Sequence, residues 1–432
     1  MAQTKLREMK EGATVARLSA LKMPISAAWA DSARKSALMR VQEMGLPHRR
    51  DEYWKYTDPS SLTADVADKA ALFESDEKPL FDSVEQLKIV FVDGVFSEEL
   101  SDELTPEGVE IERLSEVAQK DIHWAKDVYG KLEAHNAQSN VDRSLAALNT
   151  AFATDGIVLR VTGQVQKPIH LRYLHESETS DAILHHLVKV ESGADLTLLE
   201  TGPAAARFNK VMEVVVEDGA AFHHVRAQGR DHERRAVTAA FARLGHQSTY
   251  KSFTLTANGV LTRNETVLEL TGDDAVAHVA GACVGDGKDF HHDDTVFVTH
   301  DAVNCESRQV FKKVLRNGAT GVFQGKILVQ PGAQKTDGYQ ISQSLLLDDD
   351  SQFLAKPELE IYADDVACSH GSTSGAIDED ALFYLRSRGV PEKDATDLLT
   401  LSFLAEALEE IEDDRLAEDL RDRLANWLAR RR

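Results

Sequence analysis

Val216-Glu217-Asp218-Gly219-Ala220 is one of four segments that follow a single pattern: an apolar residue, a spacer, a turn residue, glycine and alanine. The others are Val190-Glu191-Ser192-Gly193-Ala194, Leu315-Arg316-Asn317-Gly318-Ala319 and Val329-Gln330-Pro331-Gly332-Ala333, whose turn residue is Pro331. Between Asp155-Gly156 and about Ala367 the chain is a succession of short β-type runs separated by such turns, and helix signals almost vanish. A recurring turn of this kind predicts the stacked coils of a β-solenoid. A sandwich or barrel also turns at short intervals, and the irregular spacing leaves that alternative open. A solenoid leaves unpaired edges on its end strands, which other elements or another subunit must cover.

Working outward, residues 26–44 predict an amphipathic helix capped by Ser26, with Trp29, Ala33, Ala37, Leu38 and Val41 on one side and Gly45 ending it. Tyr53, Trp54 and Tyr56 around Lys55 could stack a base or ligand, but a packed corner between helix and core is the plainer reading. Residues 87–96 read as a hairpin about Asp93-Gly94, and over 115–152 the apolar spacing returns to a helical period. Beyond Gly375, Asp378 caps a helix stopped by Gly389, Pro391 opens a second, and a third spans 416–428. These helices leave part of the tail for docking a partner. The fold class is therefore mainly β with α-helical flanks. An N-terminal region with a small hairpin covers 1–153, the coiled core 154–370 and a helical domain 371–432.

The 432 residues can bury a sizeable core, and 49 Lys plus Arg against 72 Asp plus Glu give 49 − 72 = −23, which argues against nucleic-acid binding. Cys283, Cys305 and Cys368 are too few and scattered for a disulfide framework, so a reducing, cytoplasmic setting is expected. No segment is apolar for long enough to predict a membrane span or a secretory signal.

Candidate chemistry concentrates in Asp365-Val366-Ala367-Cys368-Ser369-His370-Gly371-Ser372-Thr373-Ser374-Gly375. If 359–368 continues as one strand, Cys368 and His370 point to the same face. Thiolate and imidazole suit iron, zinc or an iron–sulfur unit, yet two ligands do not fill a four-coordinate site. Either another subunit supplies the rest or the pair is structural. Cys283 and Cys305 lie within β-type runs and read as small buried apolar groups. The pairs His185-His186, His223-His224 and His291-His292 each offer one histidine per strand face, and His291-His292-Asp293-Asp294 stands out among them. Gly321-Val322-Phe323-Gln324-Gly325-Lys326-Ile327 fails as a phosphate loop: it is one residue short and has Ile327 where a hydroxyl should be. A polysaccharide-active enzyme could be built on Asp293-Asp294 or Asp348-Asp349-Asp350, but adjacent carboxylates on a strand point apart.

Cys368-Ser369-His370-Gly371, Ile377-Asp378 and Phe383-Tyr384-Leu385-Arg386-Ser387-Arg388-Gly389 resemble the C-terminal signature of the SufB/SufD family, on its SufD side. The likeness extends to Arg49-Arg50-Asp51-Glu52, Trp54-Lys55-Tyr56-Thr57, Phe91-Val92-Asp93-Gly94, Leu148-Asn149-Thr150-Ala151-Phe152 and Lys167-Pro168-Ile169, so it spans nearly the whole chain. The resemblance implies a right-handed parallel β-helix between helical ends and a non-enzymatic scaffold role in iron–sulfur cluster assembly. It implies pairing with a SufB-like paralogue, with a homodimer possible in isolation, and docking of a SufC-like ABC ATPase. Tyr384, Leu385, Arg386, Arg388 and Gly389 fall in the docking segment, and Cys368 and His370 fall on the shared iron or cluster site. A transient iron or cluster is the implied cargo, and a flavin is left open. A purely structural adaptor is the remaining alternative.

Overall fold

The alanines that close the quoted turns reveal how the chain is wound. In a computed structural model, which describes residues 2–72, 78–135, 138, 141–229 and 233–430, Ala194, Ala220, Ala319 and Ala333 are at most 2% exposed. Each donates its amide to the carbonyl three residues back: Glu191, Glu217, Arg316 and Gln330 respectively, at 2.9–3.3 Å. Gly193 and Gly219 take left-handed φ values of 71° and 66°, open to glycine at no steric cost. The turn thus throws a methyl group into the core and reverses the chain around it.

The chain begins with α1 (Ala2–Ser19), α2 (Ala28–Met44) and the single turn α3 (Ser60–Thr63). Next come β1 (Leu87–Val92), β2 (Val95–Ser97), β3 (Val109–Arg113), α4 (Leu114–Val117) and α5 (Ser144–Phe152). The coils follow as β4 (Ile157–Val161), β5 (Ile169–Leu174), β6 (Asp181–Val190), β7 (Asp195–Thr201), β8 (Arg207–Val216), β9 (Ala221–Gln228), β10 (Arg235–Leu244) and β11 (Thr249–Ala257). They continue as β12 (Leu261–Leu270), β13 (Val276–Asp286), β14 (His291–His300), β15 (Glu306–Arg316), β16 (Thr320–Val329), β17 (Thr336–Leu346), β18 (Gln352–Ile361) and β19 (Val366–Gly375). Three helices close the chain: α6 (Glu379–Ser387), α7 (Glu392–Leu408) and α8 (Asp414–Arg430).

From β4 onward strands alternate between two parallel sheets, the even ones in one and the odd ones in the other. Thr249 pairs Ala221 and Val276, so successive coils take 249 − 221 = 28 and 276 − 249 = 27 residues. This is the expected solenoid. The quoted turns occupy two different corners of it. Val190 and Val216 are register partners, and the same stack runs through Leu244, Leu270 and His300 to Val329. Leu315 instead lies in the odd sheet, between Gly285 and Leu346. The first corner takes small inward groups in successive coils, Ala194, Ala220, Ser248 and Ala275, whereas at the second the position of Ala319 is held one coil earlier by buried Phe290. Cys305, fully buried, precedes Glu306 as Ala275 precedes its partner Val276, so this thiol stands at the turn-alanine position.

Before β18 and β19, both faces of each sheet are largely covered. The interior holds Leu159, Leu171, Leu196, Val214 and Phe222. The outer face of the even sheet, through Val158, Ile183, Val215 and Val237, packs under α2 and α5. The outer face of the odd sheet, through Leu199, Val225 and Phe253, packs under α7 and α8. Strands buried on both faces lose the polar alternation of a half-exposed sheet, and β8 is buried at every position.

Several expectations meet corrections. Ala27, not Ser26, is the N-cap of α2 and makes no side-chain cap. The stretch 115–152 is broken into α4, a 3₁₀ turn at Trp124–Asp127 and α5, since Gly130 adopts φ 66° between them. The stretch 359–368 is not one strand: β18 ends at Ile361 and the chain turns a corner before β19. The hairpin forms with Val92 opposite Val95, but β1 also pairs in parallel with β5, so it extends the odd sheet. At the other end β19 carries that sheet to Gly375. Trp54 is buried under the guanidinium of Arg263, 4.2 Å from the ring centroid, a packed corner against the even sheet. Asp378 caps α6 by accepting from the amides of Asp380 and Ala381.

Ala220→Leu should lower the unfolding free energy by about 1–3 kcal/mol, because the corner holds a methyl group and overpacking there displaces the backbone. A urea titration checks this, and an unchanged midpoint would show that the corner has room.

Candidate functional site

Cys368 and His370 lie on β19, the last strand of the odd sheet, in register with Gly338 and Gln340. Alternation places both on the face that looks into the solenoid, followed by Ser372 and Ser374, whose hydroxyls bond those of Ser342 and Ser344 at 3.0 and 3.1 Å. The Cys368 thiol reaches back over the preceding coil: a Cβ on Gly338 would lie 3.1 Å from its Sγ, and the side chain packs with Ile327, Val329 and Ala333. Burial pushes its pKa up, so the free thiol stays protonated at neutral pH until a cation or metal draws off the proton. His370 is exposed beyond the buried Gln340. The two residues therefore share a face as their spacing predicted, with the thiol recessed and the imidazole open to solvent.

Among the described residues no three His, Cys, Asp or Glu side chains converge to hold a metal ion. The fit to an iron or cluster cargo is that of two soft donors at an open end.

The paired histidines divide between faces. His186, His224 and His292 point inward, and His185, His223 and His291 outward toward the flanking elements. Buried His185 meets Glu213 at 2.9 Å, His291 meets Thr57 at 3.0 Å, and His223 lies 3.6 Å from Glu412 beside α8.

His186 meets the Tyr173 hydroxyl at 3.0 Å, and His224 and His292 belong to a buried polar column that the sequence reading did not anticipate. Glu200 accepts from Lys210 at 2.5 Å and meets His224 at 2.8 Å. Arg226 donates to Thr238 at 2.8 Å, and Thr238 donates to Asn264 at 3.0 Å. Asn264 donates to Asp294 at 3.2 Å, and Lys313 bridges Asp294 at 2.5 Å and His292 at 2.8 Å. Burial alone raises the pKa of Glu200, but the Lys210 ammonium, His224 and Arg226 outweigh it and hold this carboxyl well below its usual value. Asp294 is likewise lowered: burial opposes ionisation, and His292 and Lys313 overcome it. The only advance signal was the doubled histidines, since Lys210, Arg226 and Lys313 look like ordinary surface cations until their strands are paired.

Asp293 and Asp294 do point apart. Asp293 faces outward to Arg263 at 2.5 Å and Thr57 at 2.5 Å, while Asp294 faces the column. With each carboxylate held by its own cation on its own side of a sheet, the pair has no shared substrate position. Gly321–Ile327 lies within β16, which leaves no loop to cradle a phosphate. Cys283 is buried beside Phe290 and Leu315, and its pKa is pushed up to about 12 by desolvation, so it is an inert apolar group.

The C-terminal helices present a different surface. No residue of α6 is buried. Phe383 and Tyr384 are 74% and 57% exposed, Leu398 of α7 is 51% exposed, and Arg388 stacks on the Tyr384 ring at 5.0 Å. Leu385 is half-buried, Arg386 is exposed, and Gly389 ends the segment at φ 87°.

The interior histidines make the fold acid-sensitive. Burial, the largest influence on each, lowers His186 and His292 to about 3 from the usual 6.5. Because the unfolded chain binds these protons and the folded chain does not, their stabilising contribution is full above pH 6.5. It is lost steadily as pH falls toward 3. Urea midpoints measured between pH 7.5 and pH 4.5 should therefore fall with acidity from about pH 6.5 downward. A flat profile to pH 5 would mean that these imidazoles are solvated.

Two family models match the chain: the SUF system FeS cluster assembly SufBD core domain over residues 173–403, and the SufBD protein N-terminal region over residues 21–171. The chain is 28% identical over 405 residues to the iron–sulfur cluster assembly protein SufD of Escherichia coli, covering 90% of this chain and 91% of that one. It is 27% identical over 403 residues to SufD of Bacillus subtilis, covering 89% and 90%. A SufBD family iron–sulfur cluster assembly protein of Synechocystis is 29% identical over 408 residues, covering 88% and 86%. With a two-sheet parallel solenoid, helical flanks and both family models in sequence along it, the chain belongs to the SufBD family of iron–sulfur cluster assembly proteins.

Proposed function

We propose that this chain is a non-enzymatic scaffold subunit that completes its cluster site only when a paralogous subunit joins its open end. The observation that carries this reading is the pair of terminal strands. β18 and β19 are ten residues each, and each is hydrogen-bonded on one edge only. The opposite end of the solenoid finishes in the shorter antiparallel strands β2 and β3, of three and five residues. Long unpaired edges invite strand addition, and short ones discourage it. Pairing by a SufB-like chain would extend both sheets and bring its side chains against Cys368 and His370. A second copy could use the same edge in isolation.

In this reading iron or a nascent cluster is cargo, and Cys368 and His370 supply part of its coordination. Burial of the seam would favour the thiolate only once the metal is present. We assign no flavin to this chain. The exposed face of Phe383, Tyr384 and Arg388, with Leu385, Arg386 and Gly389, is the docking surface for a SufC-like ABC ATPase. Because α6 follows β19 directly, movement of the ATPase would act on the strand that carries the ligands. Three thiols without a disulfide suit a reducing cytoplasm. Polysaccharide chemistry is disfavoured by the separated carboxylates.

His370→Ala and Cys368→Ser should leave the paralogue and the ATPase co-purifying, while iron and acid-labile sulfide on the isolated complex fall severalfold. Cargo content unchanged in both variants would reduce the chain to a structural adaptor. Tyr384→Ala combined with Arg388→Glu should remove the ATPase from the complex and leave the paralogue bound, read by size-exclusion chromatography. Retention of the ATPase would move its docking site off α6.

A further inference from the structure

A cavity of about 450 Å³ lies between α8 and the carboxyl ends of β5, β7, β9 and β11, which are neighbouring strands of the odd sheet. Its floor includes Thr201, Ala227 and Leu255, successive register partners on the outer face. Leu80 and Leu424 supply apolar walls. The strand ends pass close beneath it: a Cβ on Gly202, at φ 108°, would lie 1.9 Å from the carbonyl oxygen of Tyr173.

The charge around this cavity opposes that of the molecule. Among the described residues Lys78, Arg172 and Arg423 line it against the single carboxylate of Glu176, in a chain of net charge −23. Arg423 donates to the carbonyl of Lys78 at 2.7 Å, which ties α8 to the opposite wall. Arg172 stands between Leu171 and Tyr173, both interior core residues, so alternation turns it outward. Among the described residues it pairs with no carboxylate.

We propose that this cavity binds a small amphipathic anion, an acyl or aryl body ending in a carboxylate or phosphate. The volume lies in the range of small-molecule sites, which are largely apolar with a few placed polar groups. The apolar body would rest on Ala227, Leu255 and Leu424, and the head group would take the planar fork of Arg172. Among the described lining residues a cationic head would meet three cations against the one carboxylate of Glu176.

Calorimetric titration of the full chain with decanoate, decyl phosphate and decylammonium tests this. The anions should bind one saturable site per chain and decylammonium should not, with the tighter anion identifying the preferred head group. Arg172→Glu should weaken the anions by about tenfold or more, equivalent to about 1.4 kcal/mol. Arg172→Gln should act in the same direction, and Ala227→Leu should weaken them by filling the floor. Circular dichroism and thermal midpoints confirm that each variant is folded. Absence of saturable anion binding, equal binding of decylammonium, or anion binding unmoved by the Arg172 variants would overturn the proposal.

Discussion

Parallel backbone pairing is the interaction on which the rest of this molecule depends. Every strand from β4 to β17 is hydrogen-bonded on both edges. A parallel ladder of this kind leaves no place for a side chain to compensate a missing neighbour, so each coil is stable only between two others. The coil spacing, the small residues at the corner of Ala194 and Ala220 and the outward surfaces that receive the helices all follow from that stacking. So does the unfinished character of the last coil, whose outer edge pairs with no strand among the described residues.

The flanking helices solve a second problem that stacking creates. Flat parallel sheets bury their inner faces against each other but expose apolar outer faces. Here α2 and α5 cover the even sheet, and α7 and α8 cover the odd sheet. The region around β18 and β19 escapes this cover, and it is there that Cys368 and His370 stand. The His370 imidazole is open to solvent for the same reason that the edge is unpaired.

Charges inside the solenoid run against the expectation that a long β core is apolar. Desolvating Glu200, Lys210, Asp294 and Lys313 costs free energy that their mutual attraction repays only with good geometry and additional hydrogen bonds. The column supplies these through His224, His292 and Asn264. Replacement of such groups by apolar ones is often tolerated in proteins, so their presence here reflects what each coil requires of its neighbours rather than a simple gain in stability. A half-formed column would leave buried charges unpaired, which penalises any register in which the coils stack incorrectly.

Local chemistry made part of this legible in advance. Glycine followed by alanine at the four quoted turns, the short β-type runs between turns and the helix capped by Asp378 are statements about short segments, and the chain obeys them. The same-face relation of Cys368 and His370 is of this kind, since it needs only that both lie on one strand. Resemblance to family motifs added the role in iron–sulfur cluster assembly, which no local rule supplies. Ser26 failed as a cap and 359–368 failed as a single strand because end positions are decided by what packs against them. The polar column was invisible because Glu200 and Lys210 are ten residues apart on different sheets, and only the winding brings them to 2.5 Å. Sequence alone determined the turns and the two donors on one face, because these depend on backbone geometry within a few residues, and it left a sandwich or barrel open beside the coil. Tertiary structure decided which charges are buried, which thiols are inert and which edge stays open, because those depend on neighbours a full coil away.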